Sequence, residues 1–129
     1  MNSSALALIA APPDSLRYSL RALLARLPQI DEVRAVEDTP SLLAALPELM
    51  PRLIVVDVNL LRDEAGPVLE QVKAVTARTR VVVLVDHIDQ QRALQATSAD
   101  RVLLKGYPAA DLFATFTRLL TPDDSGIGQ

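Results

Sequence analysis

Cysteine is absent from this chain, which excludes a disulfide framework and a thiolate metal site. Tryptophan is absent as well, and two Tyr and two Phe bring aromatics to only 3%. Platforms for stacking nucleic-acid bases therefore lack material, and the core must be built from Leu, Val, Ala and Ile. Four glycines are too few for a Gly-rich phosphate cradle, and neither G-x-x-x-x-G-K-[ST] nor G-x-G-x-x-G occurs. The single histidine, His87, has no neighbouring His or Cys and makes a poor metal site. No nucleophile elbow lies near it, so a loop or surface position is expected. Positive charge is not in excess: 13 Lys and Arg face 16 Asp and Glu, a net charge of −3. That argues against gripping nucleic acid through a basic face. No apolar run approaches the roughly 20 residues of a membrane span. The opening MNSSALALIAAPPD has no positively charged start and reads as a core strand rather than a signal peptide. A cytoplasmic location without membrane contact is expected.

What is present is apolar material in short blocks. Half of the 129 residues are hydrophobic, enough for one domain with one sizeable core. Four runs stand out: ALALIA (Ala5–Ala10), LIVVDV (Leu53–Val58), VVVLV (Val81–Val85) and RVLLK (Arg101–Lys105). None alternates with polar residues, as expected for strands buried on both faces of a parallel sheet. DEVRAVE (Asp31–Glu37) does alternate and suits a strand nearer the sheet edge. Helical spacing fills the gaps. Leu16, Leu20, Leu23, Leu24 and Leu27 form one stripe over Asp14–Leu27, leaving Arg17, Arg21 and Arg26 on a solvated face. Asp14 or Ser15 suits the cap and Pro28 the stop. Thr39 followed by Pro40 predicts a second helix to about Leu46. Further helices are predicted over Pro67–Ala77, Asp89–Ser98 and Pro108–Leu120, the last burying Phe113 and Phe116.

Strands alternating with helices predict an α/β domain with right-handed crossovers. Five strands in a chain of this length match the flavodoxin-like order 2-1-3-4-5. The domain is expected to span residues 1–120, with the polar residues 121–129 a tail or the start of a linker. In such a sheet, chemistry gathers beyond the carboxyl ends of the strands. Those ends deliver Ala11, Pro12, Pro13 and Asp14 from strand one, and Asp57 and Asn59 from strand three. Strand four delivers Val85, Asp86 and His87, and strand five Lys105 and Gly106. Asp57 is the odd residue, a carboxylate inside an apolar run and costly to bury unless paired. Asp57, Asp86 and Lys105 are expected to converge on one crevice, an ammonium between two carboxylates.

From Ala5 to Leu120 the pattern resembles the receiver domain of bacterial response regulators. PRLIVVDVNL (Pro51–Leu60) and RVLLKG (Arg101–Gly106) carry the resemblance. LRYSLRALLARLPQIDEVRAVED (Leu16–Asp38) resembles receivers attached to helix-turn-helix transcription regulators. The resemblance implies that Asp57 stands where the family accepts a phosphoryl group from a histidine kinase. It also implies that Lys105 contacts the phosphoryl oxygens, and that Mg²⁺ is held by the acceptor, the backbone carbonyl of Asn59 and an acidic pair after strand one. Charge neutralisation of this kind is what a carboxylate nucleophile needs.

Several parts of that pattern are replaced. The acidic pair falls on Ala11 and Pro12, which offer no carboxylate to a hard cation. Asp14, two positions later, is expected to cap the first helix. The switch Thr/Ser position holds Val85 and the switch aromatic position Val102. The small residue after the switch is Asp86, and the usual Met-Pro after the acceptor reads Leu60-Leu61. The expectation is an atypical receiver without enzymatic turnover and without a cofactor. It would act by protein contact, with Asp57 held by Lys105 and Asp86 rather than by Mg²⁺. The family's dimer face, formed by the helix after strand four, strand five and the last helix, would draw on Arg92, Asp100, Arg101, Asp111 and Arg118. No direct nucleic-acid contact is expected. Two alternatives stand beside this. One is a working Mg²⁺-dependent phosphoacceptor serving a histidine kinase and an attached or partner DNA-binding output. The other is a small-ligand sensor using the strand-end crevice.

Overall fold

The computed structural model describes residues 5–121. The expected tail, beyond Thr121, lies outside the described residues. Five parallel strands form one sheet in the order β2-β1-β3-β4-β5, the predicted fold class. They are β1 (Leu6–Ala10), β2 (Glu32–Val36), β3 (Leu53–Asp57), β4 (Arg80–Val85) and β5 (Arg101–Leu104). The unbroken apolar runs are explained by burial on both faces. Alternate residues of β1 and β3 face opposite layers. Leu8, Ala10, Ile54 and Val56 join the core under α2 (Thr39–Leu49) and α4 (Ala65–Val75). Ala7, Ile9, Leu53 and Val55 join the core under α1 (Ser15–Ala25) and α6 (Ala109–Leu120), where Phe116 is fully buried and Phe113 partly so. β2 is the edge strand that its alternation predicts, half-exposed along its length.

The local corrections have local causes. Asp38 rather than Thr39 caps α2, its carboxylate accepting the Ser41 N–H at 2.8 Å. α2 also runs through Pro47 to Leu49 instead of stopping near Leu46. Pro47 sits on the exposed side, where the Leu43 carbonyl it leaves without an N–H can meet water. α4 begins two residues before Pro67, which lies in the first turn, where no intrahelical donor is needed. α5 (Ile88–Leu94) ends short of the predicted Ser98, because the Thr97 hydroxyl donates to the Leu94 carbonyl and turns the chain. The strand stops at Asp57, one residue short of the predicted Val58, and a four-residue helix, α3 (Val58–Leu61), and a 3₁₀ turn (Arg62–Glu64) follow it. Arg17 and Arg21 are not merely solvated. Arg17 pairs with Glu37 at 3.5 Å, just past β2, and Arg21 donates to the Val33 carbonyl within it, so both tie α1 to the β2 segment.

The strand order reverses between β1 and β3, so the loops leaving these strands diverge and open a crevice at their carboxyl ends. Asp57 closes β3 at that point.

Candidate functional site

Asp57 is buried to 1% exposure at the end of the apolar strand β3. Its Oδ1 accepts the Asn59 N–H at 2.9 Å, which caps α3 and turns the chain away from the sheet. The same oxygen lies 2.7 Å from Lys105 Nζ. Lys105 is delivered by β5. Its N–H donates to the Val85 carbonyl at 2.8 Å, extending the ladder past the last strand residue. Gly106 follows at φ +88°, a left-handed conformation that a side chain would strain, and releases the chain into the loop before α6. Asp86, leaving β4, brings Oδ1 to 3.0 Å from Lys105 Nζ.

The ammonium thus bridges a buried carboxylate and a half-exposed one. An unpaired carboxylate at the depth of Asp57 would be strongly disfavoured, and the charge-assisted contact with Lys105 offsets that cost. Burial pushes the Lys105 ammonium down. Hydrogen bonds to Asp57 and Asp86, with their charges, push it up and prevail, so the lysine stays protonated above its ordinary range.

The positions after β1 are occupied by groups of another kind. Ala11 is fully buried and spends its N–H on the Val36 carbonyl. Pro12 offers only its carbonyl, which accepts the Asp14 N–H at 2.9 Å. The Asp14 carboxylate accepts the N–H groups of Leu16 and Arg17 and caps α1 as expected. Among the described residues no group of three or more His, Asp or Glu side chains is placed to hold a metal ion, and the Asp57 and Asp86 carboxylates already contact an ammonium. Mg²⁺ requires near-octahedral oxygen ligation, and this donor set does not fit it.

Val85 is fully buried and contributes its carbonyl to the Lys105 N–H, and Val102 is buried with its carbonyl accepting from Gln91 Nε2 at 2.8 Å. His87 is exposed and caps α5, as its surface reading anticipates. A cleft of about 550 Å³ lies between the loops after β1, β2 and β3, lined by Pro12, Pro13, Asp38, Asn59 and Arg62 among others, and Asp57, Asp86 and Lys105 are not part of its lining.

One expected contact residue is placed elsewhere. Arg92 of α5, Arg101 of β5, and Asp111 and Arg118 of α6 are exposed. Asp100 is turned inward, accepting the Val81 N–H at 2.7 Å and pairing with Lys73 at 3.0 Å and Arg80 at 3.5 Å. It fastens the start of β4 to α4 and is spent inside the fold. Sequence reasoning also missed Gln90, whose Oε1 accepts the N–H groups of Asp86 and His87 at 2.8 and 3.0 Å. A Gln three residues after a helix cap is the signature that would have found it.

No protein-family model matches the chain, and no curated protein matches it. Solved structures do. The response regulator receiver domain protein from Clostridium thermocellum superposes with a TM-score of 0.77 at 18% identity, over 90% of this chain and 94% of that one. The isolated receiver domain of RcsB from Salmonella enterica serovar Typhimurium, in the presence of the phosphomimetic BeF3−, gives 0.77 at 19% identity, over 91% and 88%. A two-component response regulator of the LuxR family from Aurantimonas gives 0.75 at 19% identity, over 92% and 86%. The likeness at these identities is one of fold, and the fold is that of response regulator receiver domains, including those of LuxR-family regulators.

Proposed function

We propose that this chain is an atypical receiver module in signal transduction that acts by protein contact without Mg²⁺-dependent phosphorylation of Asp57. The observation that carries this reading is the seat of Lys105 Nζ, 2.7 Å from Asp57 and 3.0 Å from Asp86. The lysine that would meet a phosphoryl group is already engaged by two internal carboxylates. Ala11 and Pro12 stand where a cation needs acidic ligands. Val85 has no hydroxyl to follow a modification. One of the similar structures was solved in the presence of a phosphomimetic, and the replaced positions Ala11, Pro12, Val85 and Val102 support the reading that this chain works differently.

The contact face we propose is that of α5, β5 and α6, through the exposed Arg92, Arg101, Asp111 and Arg118. Surface ion pairs are individually weak, so they would set register while apolar neighbours supply most of the affinity. The partner is a protein, either a second copy or an output module of a transcription regulator. Among the described residues no helix is long and apolar enough to cross a membrane.

The test is incubation with Mg²⁺ and acetyl phosphate, followed by intact mass. An unchanged mass is expected. A phosphoryl adduct that disappears in Asp57→Asn would overturn the proposal and favour the working phosphoacceptor.

A further inference from the structure

None of the seven residues of α5 is fully buried, and Leu94 is its one partly buried contribution to the core under α2 and α4. A helix with so little apolar anchoring takes its position from polar ties. Two of these are direct. Gln91 Nε2 donates to the Val102 carbonyl of β5, and Gln90 Oε1 accepts from the backbone of Asp86 and His87. The third is indirect. Asp86 gives its N–H to Gln90 and its carboxylate to Lys105, which in turn holds Asp57. A continuous chain therefore runs from the buried carboxylate of β3, through the lysine after β5, to the first turn of α5. Asp86 is the link common to both halves.

We infer that Asp86 is a latch, holding α5 in one position by gripping Lys105 with its side chain and Gln90 with its backbone, so that the α5–β5–α6 face is preset for its partner. This rests on the proposed function and adds the device that fixes the face. With Val85 and Val102 unable to transmit a modification, the latch replaces a switch by a constant setting.

The test uses amide hydrogen exchange by NMR on the wild-type chain, Asp86→Ala, Gln90→Ala and the double variant. Asp86 and Gln90 lie at the surface or half-buried, so the variants keep the fold, which the unchanged exchange of the β1 and β3 amides verifies. Asp86→Ala should speed exchange of the Gln91–Leu94 amides about fivefold, the scale of a lost helix-end interaction. The double variant should exceed the larger single effect only slightly, because both cuts break one chain. Unchanged exchange in Asp86→Ala, or strictly additive effects, would overturn the latch. The two inferences fail separately. A phosphoryl adduct on the wild type sinks the proposed function while faster α5 exchange in Asp86→Ala still supports the latch. No adduct with unaltered α5 exchange leaves the proposed function standing and removes the latch.

Discussion

Replacing Lys105 by Met removes the ammonium while keeping most of the side-chain stem. Asp57, 1% exposed, would then keep only the Asn59 N–H as a partner. Cutting one member of a fully buried ion pair costs about 3–5 kcal/mol, since the remaining charge has no compensation. Here the lysine side chain is 21% exposed, so water can reach part of the vacated space and the loss falls at or below the lower end of that range. We expect a loss of about 2–3 kcal/mol, allowing for that partial hydration. Against a total stability on the order of 5–15 kcal/mol, the variant still folds. The midpoint of thermal unfolding should fall by roughly 8–12 °C at about 4 °C per kcal/mol for a domain of this size. Urea unfolding followed by circular dichroism gives the free energy directly. The companion Asp57→Asn/Lys105→Met removes both charges and should recover more than half of the loss, because the buried uncompensated carboxylate is gone. A loss under about 0.5 kcal/mol in Lys105→Met, the range of an ordinary surface substitution, would refute the pairing. So would a double variant as unstable as the sum of the singles.

Asp14→Ala should cost about 1 kcal/mol in the same urea assay, the usual worth of an N-cap, without disturbing any metal-dependent property. Asp100→Ala leaves the Val81 N–H without its carboxylate acceptor and Lys73 with only the Thr79 carbonyl, and should cost about 1.5–3 kcal/mol, the range for hydrogen bonds to charged groups. If Asp100 were an interface residue instead, the monomer would scarcely notice its loss. The folded-state pKa of Lys105 lies above its ordinary 10.5. Its contribution is therefore complete below 10.5, constant through neutral pH, and lost as pH rises through the raised value. Thermal melts should show an alkaline loss that Lys105→Met lacks. Asp38 behaves in the opposite sense. The Ser41 hydrogen bonds hold it below 3.8, so its contribution is present above 3.8 and fades as pH falls through the lowered value.

The central strands were readable because burial on both faces demands unbroken apolar runs, and Val81–Val85 can satisfy that demand in few other ways. β2 was readable for the converse reason, since an edge strand shows its alternation. The convergence of Asp57, Asp86 and Lys105 followed from strand order, because residues closing β3, β4 and β5 must meet at one end of a parallel sheet. Where local signals competed, the sequence left the outcome open. Thr39-Pro40 and Asp38 both make acceptable helix starts, and the carboxylate prevailed as the stronger acceptor for the Ser41 N–H. Val58 extends the apolar run of β3, yet Asp57 caps a new helix there and the strand stops. Asp100 looked like a surface acid because the residues that claim it, Lys73 and Arg80, are distant in sequence. The same blindness to long-range polar pairing hid the ties from Arg17 and Arg21 to β2.

These observations describe a receiver fold whose strand-end charges are satisfied internally. The ammonium of Lys105 pairs with Asp57, and Ala11 and Pro12 beside it carry no carboxylate. Asp86 completes the arrangement and reaches toward α5.

The most direct measurement is a titration of the ¹⁵N-labelled chain with Mg²⁺ and beryllofluoride, followed through the backbone amide shifts. The account predicts that the amides of Asp57, Asn59, Asp86 and Lys105 hold their positions at millimolar Mg²⁺. Saturable shifts centred on Asp57 and spreading into α5 and α6 would contradict it, and would mean that the crevice assembles a cation site despite Ala11 and Pro12.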